Sequence, residues 1–316
     1  ALLGGNIAEG RALIRGDMDD FPFRNGTGRF EAVARVENLS LEYLEGWPRI
    51  SDSSAVVRFV EASMEATGRI GDNVGSAVDS VGVRIADMKS ATLEVDYATE
   101  SDLPSIIRFV RETPLQEQIG VDLAQFEFEG PASVTGAIRV PLGRQAGDMT
   151  IDGAVRLSDA RFTDPQRGIT ISEVNGIIEY DERGFDGREF DAVALENPAR
   201  LDVRADADSE EKFHAEIRGN FPARDVLTDE AMREALGFLE RIEGRADWTI
   251  ALTVNSAEGE DVRVDLGIDS DLAGVVLGLP APFEKAAEED WPFRLEYPLD
   301  GSGRPLEITL AGRAAL

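Results

Sequence analysis

The sequence predicts a mainly β protein, an antiparallel sheet of repeated units of about five strands with one short helix between repeats. Three observations predict it: apolar and charged residues alternate with period two along much of the chain, blocks of sequence recur in the same order, and only two stretches carry helix signals.

The strands come first. Phe30, Ala32, Ala34 and Val36 alternate with Glu31, Arg35 and Glu37, and Leu41 follows in the same segment. Val57 and Phe59 flank Arg58, and Leu93, Val95 and Tyr97 alternate with Glu94 and Asp96. The pattern returns at Ile151, Gly153, Val155 and Leu157, at Ile178 and Tyr180 around Glu179, and at Leu201, Val203 and Ala205. It continues through Phe213, Ala215 and Ile217, through Trp248, Ile250, Leu252 and Val254, and through Val262, Val264, Leu266 and Ile268. Each series gives a strand one apolar and one charged face. The apolar members from Phe30 to Ile268, apart from Tyr97, Ala205 and Val254, are the expected lining of whatever the sheet encloses.

Two stretches read as helices. Leu103 to Glu112 follows Ser101-Asp102, a capping signal, and has Pro104 in its first turn. Asp229 to Glu243 follows Thr228 and stops at Gly244, with Met232, Leu236, Leu239 and Ile242 on one face and acidic residues on the other. The acidic face argues against a membrane surface, so this helix is expected to form a lid or rim on the sheet.

Internal repeats organise these elements. Phe30–Val36 aligns with Ile151–Leu157 at an offset of 121 residues (151 − 30), and Ile50-Ser51-Asp52 and Ala55–Phe59 fall on Ile171-Ser172-Glu173 and Gly176–Tyr180 at the same offset. Thr92–Val95 matches Arg200–Val203 at 108 (201 − 93), which implies an insertion in the first copy. A third copy starts where Glu243-Gly244-Arg245-Ala246 repeats Glu129-Gly130-Pro131-Ala132 at 114 (244 − 130). The expected boundaries are residues 1–112 and 113–243, each ending in a helix, and a partial repeat at 244–316.

Such a sheet carries more apolar surface than two helices can cover. One solution is a closed sandwich or barrel filled by its own side chains. The other is a curled sheet enclosing an apolar trough for a long hydrocarbon ligand. Small residues at inward positions (Ala32, Ala34, Gly153, Gly176, Ala205, Ala215) favour the trough.

Composition excludes several function classes. There are 32 basic and 61 acidic residues, a net charge of −29, and Lys occurs only at positions 89, 212 and 285, so nucleic-acid phosphate is repelled. Without Cys there is no thiolate nucleophile, disulfide or zinc-thiolate site. His214 is the only histidine, which rules out a multi-histidine metal site or histidine triad. The acidic groups Asp17-Asp19-Asp20, Asp269-Asp271 and Glu288-Glu289-Asp290 lack calcium-loop spacing and read as solvated turns, and glycines such as Gly26 and Gly28 form no phosphate-binding motif. Neither a catalytic residue nor a metal or cofactor is expected. Trp47-Pro48 and Trp291-Pro292 read as packed corners rather than interfacial anchors. Ala1 in place of Met, with no leader and no apolar run long enough to span a bilayer, is expected of a piece cut from a longer polypeptide.

Three stretches carry a resemblance to a known family: Arg15–Phe23, Leu41-Glu42-Tyr43 with Gly46-Trp47-Pro48, and Asp269–Pro282. Through them the chain resembles the AsmA-like proteins of Gram-negative bacteria, most closely the YhdP branch. The resemblance implies an extended, twisted, U-shaped antiparallel sheet, a repeating β-groove. It also implies a non-enzymatic role in outer-membrane biogenesis, conducting phospholipid across the periplasm between inner and outer membrane. The implied partners are phospholipid acyl chains, flanking repeats of the same polypeptide, and the two membranes through segments outside this piece. The implied location is the periplasm, in an inner-membrane-anchored envelope protein. Two alternatives remain at this stage, an envelope scaffold with filled β-sandwich cores and an outer-membrane barrel. Four tyrosines and two intervening helices, the second of them acidic, count against the barrel.

Overall fold

In the computed structural model the chain is mainly β and its strands pair antiparallel. The structure describes residues 1–43, 46–89, 92–116, 123–142, 148–165, 168–227, 241–256, 262–280, 284–310 and 314–315. They fall into two compact units, one of residues 1–116, 131–156 and 179–182, the other of 117–130, 157–178 and 183–316.

The first unit is a sequential ladder. Strands β1 (Leu2–Arg15), β2 (Arg29–Leu41), β3 (Ile50–Val60), β4 (Ser63–Asn73), β5 (Ser76–Ile85) and β6 (Thr92–Asp102) each pair with the next. Helix α1 (Leu103–Arg111) then interrupts the chain. It starts as the sequence predicts: the Asp102 carboxylate accepts the Ser105 amide at 2.8 Å, and Pro104 occupies the first turn, where a missing N–H costs nothing. The β7 strand (Glu127–Glu129), part of the second unit, follows in sequence, and β8 (Pro131–Pro141) in the first unit pairs with β6 over its whole length.

Next come β9 (Thr150–Asp164), whose far end pairs with β7, and its neighbour β10 (Ile169–Asp181). In the second unit β11 (Gly184–Ala194), β12 (Asn197–Asp206) and β13 (Glu211–Pro222) lead into a single-turn helix α2 (Ala223–Val226), and the ladder continues through β14 (Ile242–Asn255) and β15 (Arg263–Ser270). A short β16 (Val275–Leu277) pairs with the first three residues of β14, while β15 passes to β17 (Phe293–Pro298), β18 (Glu307–Leu310) and β19 (Ala314–Ala315).

The expected helix over Asp229–Glu243 lies outside the described residues except at its end. There the structure differs: Ile242 and Glu243 open β14 and pair with Leu277 and Val276. Edge pairing with β16 satisfies these backbone groups, so the chain is already extended before Gly244.

The 121-residue offset is written into the backbone. Left-handed residues interrupt β2 at Asn38 and β9 at Asp159, and β3 at Asp52 and β10 at Glu173, each pair 121 apart (159 − 38, 173 − 52). The β4–β5 turn at Val74-Gly75 and the β11–β12 turn at Leu195-Glu196 repeat it, all four residues having positive φ. The offset of 108 has no structural counterpart. Thr92–Val95 lies on β6, which runs into α1, whereas Arg200–Val203 lies on β12, and the strand that runs into α2 is β13. Both segments are short alternating runs, which match one another readily without being equivalent.

Packing differs between the units. The second holds a core of Phe221, Ala223, Val226, Leu227, Ile242, Trp248, Ile268, Leu272, Val275, Leu277, Phe293, Leu295 and Ile308. Trp248 anchors it, donating Nε1–H to the Phe221 carbonyl at 3.2 Å and meeting Phe293 edge-on at 5.9 Å. In the first unit the buried apolar side chains among the described residues are only Phe23, Ile50, Ile85, Leu103 and Ala132. Trp47 there packs between Tyr43 and Phe109 of α1, and Trp291 packs on the core of the second unit, so both Trp-Pro pairs are packed corners.

Candidate functional site

Residues directly opposite in an antiparallel pair point to the same face, so the register draws continuous rows across the first unit. One row runs Gly10, Ala34, Val57, Ala66, Val83, Val95, Ile138 from β1 to β8. Its neighbour runs Ala12, Ala32, Phe59, Met64, Ile85, Leu93, Val140. Seven strands thus present one unbroken apolar surface, and most of these side chains are only half-buried.

The opposite face is the inverse. Its row reads Arg11, Val33, Arg58, Glu65, Arg84, Glu94, Arg139, charges of alternating sign at nearly every position. Arg58 also reaches Glu31 at 2.7 Å. Ion pairs this exposed add little stability, and they keep this face in water.

Phe30 pairs with Ile14, and Val36 with Ile7 and Ala55, extending the apolar surface. Leu41 has the wrong parity for this series, yet it pairs with the buried Ile50. The left-handed Asn38 between them shifts the register by an extra residue and restores the apolar side.

Two tyrosines interrupt the apolar surface. Tyr97 and Tyr180 meet hydroxyl to hydroxyl at 2.6 Å, and Tyr180 donates to the Thr135 carbonyl at 3.2 Å. Burial pushes both phenols above their ordinary pKa, so they stay protonated. Gly153 was expected to leave open room, but a Cβ there would stand 2.3 Å from the Tyr180 hydroxyl. Gly176 is likewise filled, its Cβ position 2.1 Å from Phe190 Cδ1. These glycines admit a neighbouring ring to the sheet rather than widening a cavity.

In the second unit one row runs Phe190, Leu201, Ile217, Ile250, Ile268, Leu295, Ile308. Beside it run Gly187, Val203, Ala215, Leu252, Leu266, Tyr297, then Phe185, Ala205, Phe213, Val254, Val264. His214 sits on the charged face between Arg204 and Thr253. Among the described residues no acidic and histidine side chains cluster as a metal site would need.

The model of the YhdP protein family matches residues 1–315. The chain belongs to the YhdP family. A curated relative, the intermembrane phospholipid transporter YhdP of Escherichia coli (strain K12), is 20% identical over 312 residues, covering 98% of this chain and 24% of the relative. The chain therefore spans about a quarter of the length of that relative. No solved structure matches it.

In this YhdP chain the predicted lining residues do not all stand alike. Ile151, Gly153 and Val155 lie half-buried on β9, and Ile178 and Tyr180 half-buried on β10. Leu157, Leu201, Trp248 and Ile268 are fully buried, the last two in the core of the second unit. Val262 precedes β15 and is half exposed, outside every row. Conversely, Met64, Ala66, Val83, Ile85, Ile138 and Val140 belong to the rows and were not anticipated. On β5 the alternation of Val81, Val83 and Ile85 with Arg84 was readable. On β4, Thr67 and Gly68 dilute it.

Proposed function

We propose that this chain is a length of apolar groove that carries phospholipid acyl chains between the inner and outer membranes. The observation that supports this reading best is the pair of seven-strand apolar rows in the first unit, left half-exposed by the protein's own side chains. Soluble proteins rarely leave such a surface bare unless something occupies it. Burying each methylene of an acyl chain gains about 0.8 kcal/mol, so such a surface holds lipid without a dedicated polar contact.

The name of the Escherichia coli relative points the same way, because a transporter between membranes needs a path that shields lipid tails from water. In this reading the charged rows face the aqueous periplasm, the polypeptide is anchored in the envelope through other segments, and no residue is catalytic. Residues 1–112, 113–243 and 244–316 act as successive repeats of the groove, continued by flanking repeats. The core of the second unit packs at one end of its ladder and Ala205 and Val254 are buried at the other, while Val203, Ala215, Leu252 and Leu266 in the row between are half-buried.

The test is a lipid-transfer assay on the intact protein with Val83→Asp and Arg84→Asp, neighbours on opposite faces. Transfer falls at least tenfold for Val83→Asp and changes less than twofold for Arg84→Asp, at matched protein levels. Equal loss from both removes the groove.

A further inference from the structure

Two phenols interrupt the apolar rows of the first unit, and their hydrogen bonds are unequal. A carbonyl can only accept, so Tyr180 spends its single proton on Thr135, 3.2 Å away. The proton between the phenols, whose oxygens are 2.6 Å apart, therefore belongs to Tyr97.

The place is built for them. A Cβ on Gly136 would stand 2.5 Å from the Tyr97 hydroxyl and 2.6 Å from that of Tyr180, and one on Gly153 would stand 2.3 Å from the latter. Glycine on two adjacent strands lets both hydroxyls settle onto the backbone. Tyr97 itself continues a row from Val36 through Ala55, Gly68 and Val81.

We infer that Tyr97 is a specificity-determining contact of the lipid path, turning its phenolic proton from Tyr180 to an ester carbonyl of a diacyl phospholipid. The inference rests on the groove reading above. Redirecting this proton leaves Tyr180 short of one donated bond but still bonded to Thr135. Redirecting the Tyr180 proton instead would break its bond to the Thr135 carbonyl. Tyr97 is thus the exchangeable donor and Tyr180 the fixed one.

The ligand group must be an uncharged acceptor. Beside apolar rows an uncharged acceptor avoids the cost of burying a phosphate charge. The ester carbonyl lies where acyl chains join glycerol, and it is the strong acceptor closest to the part of the lipid an apolar face would hold. An ether-linked lipid keeps the same chains and headgroup but lacks that carbonyl.

The test is native mass spectrometry of the intact protein after incubation with vesicles of equal parts diacyl and dialkyl phosphatidylethanolamine of matched chain length. The wild type binds the diacyl lipid about 2- to 3-fold better, less than one full neutral hydrogen bond because the bond to the ester replaces the one to Tyr180. Tyr97→Phe brings the ratio to about one by loss of bound diacyl lipid while dialkyl binding persists, and Tyr180→Phe keeps the preference. An equal ratio in the wild type, or an unchanged preference in Tyr97→Phe, overturns the inference while leaving the groove standing. Absence of both lipids from the folded wild type overturns the groove and the inference with it.

Discussion

Phe190 lies directly against Gly176: a Cβ on that glycine would stand 2.1 Å from Phe190 Cδ1, and the ring is 2% exposed. Gly187 receives the far edge of the ring, with Cζ 2.4 Å from its own Cβ position. The ring is therefore clamped between two strands by two missing side chains. Gly176→Ala is expected to cost about 2–3 kcal/mol in urea unfolding, the scale of an overpacked core. Combining it with Phe190→Leu should recover part of the loss. A cost below about 0.5 kcal/mol would mean that the ring moves freely.

A second prediction concerns acid. Arg24 reaches across to Asp87 at 2.7 Å, tying the β1–β2 loop to the β5–β6 loop. This bond, with the Lys89 amide, holds the Asp87 carboxyl down at about 2. A depressed carboxylate stabilises the fold fully above its unfolded pKa, and that contribution is lost as pH falls through the folded value. The stability advantage of wild type over Asp87→Asn should thus be constant above about pH 5 and vanish between about pH 4 and pH 2. A difference independent of pH over that window would show that the pair is not formed in solution.

Lys285 supplies a third. Its side chain is 1% exposed, and its ammonium donates to the carbonyls of Leu272, Val275 and Ala286 at 2.9, 2.8 and 3.0 Å. One cation thus stitches the turn before β16 to the strand-like segment that bridges Leu277. Lys285→Met keeps the stem but leaves three buried acceptors without this donor, at a cost on the order of 3 kcal/mol. Hydrogen exchange should show the loss concentrated at Val275–Leu277. Uniform exchange across the second unit would argue against this local role.

Much of this was legible in the sequence, and the exceptions have physical causes. Alternation placed Val57, Phe59, Leu93 and Val95 on one face because strand geometry allows no other outcome for a regular strand. It could not show which strands adjoin, so Ala66 and Val83, which carry the same row across β4 and β5, went unassigned. Small residues looked like space. Gly153 and Gly176 are in fact occupied by Tyr180 and Phe190, partners on the next strand whose reach only the folded register reveals. The helix signal at Asp102-Pro104 held because a cap is local. The last residues of the second expected helix went instead to β14, because pairing with β16 depends on residues some thirty positions away (275 − 244).

On the groove reading, the apolar rows of the first unit contact lipid. Val57 and Arg58 are neighbours on β3, one in an apolar row and one in the charged row. The most direct measurement places a photo-crosslinking amino acid at each position of the intact protein in cells and identifies the adduct by mass spectrometry. Phospholipid adducts at Val57 and none at Arg58 are the predicted result. Adducts at both positions alike, or none at Val57 in a correctly folded protein, would contradict the account.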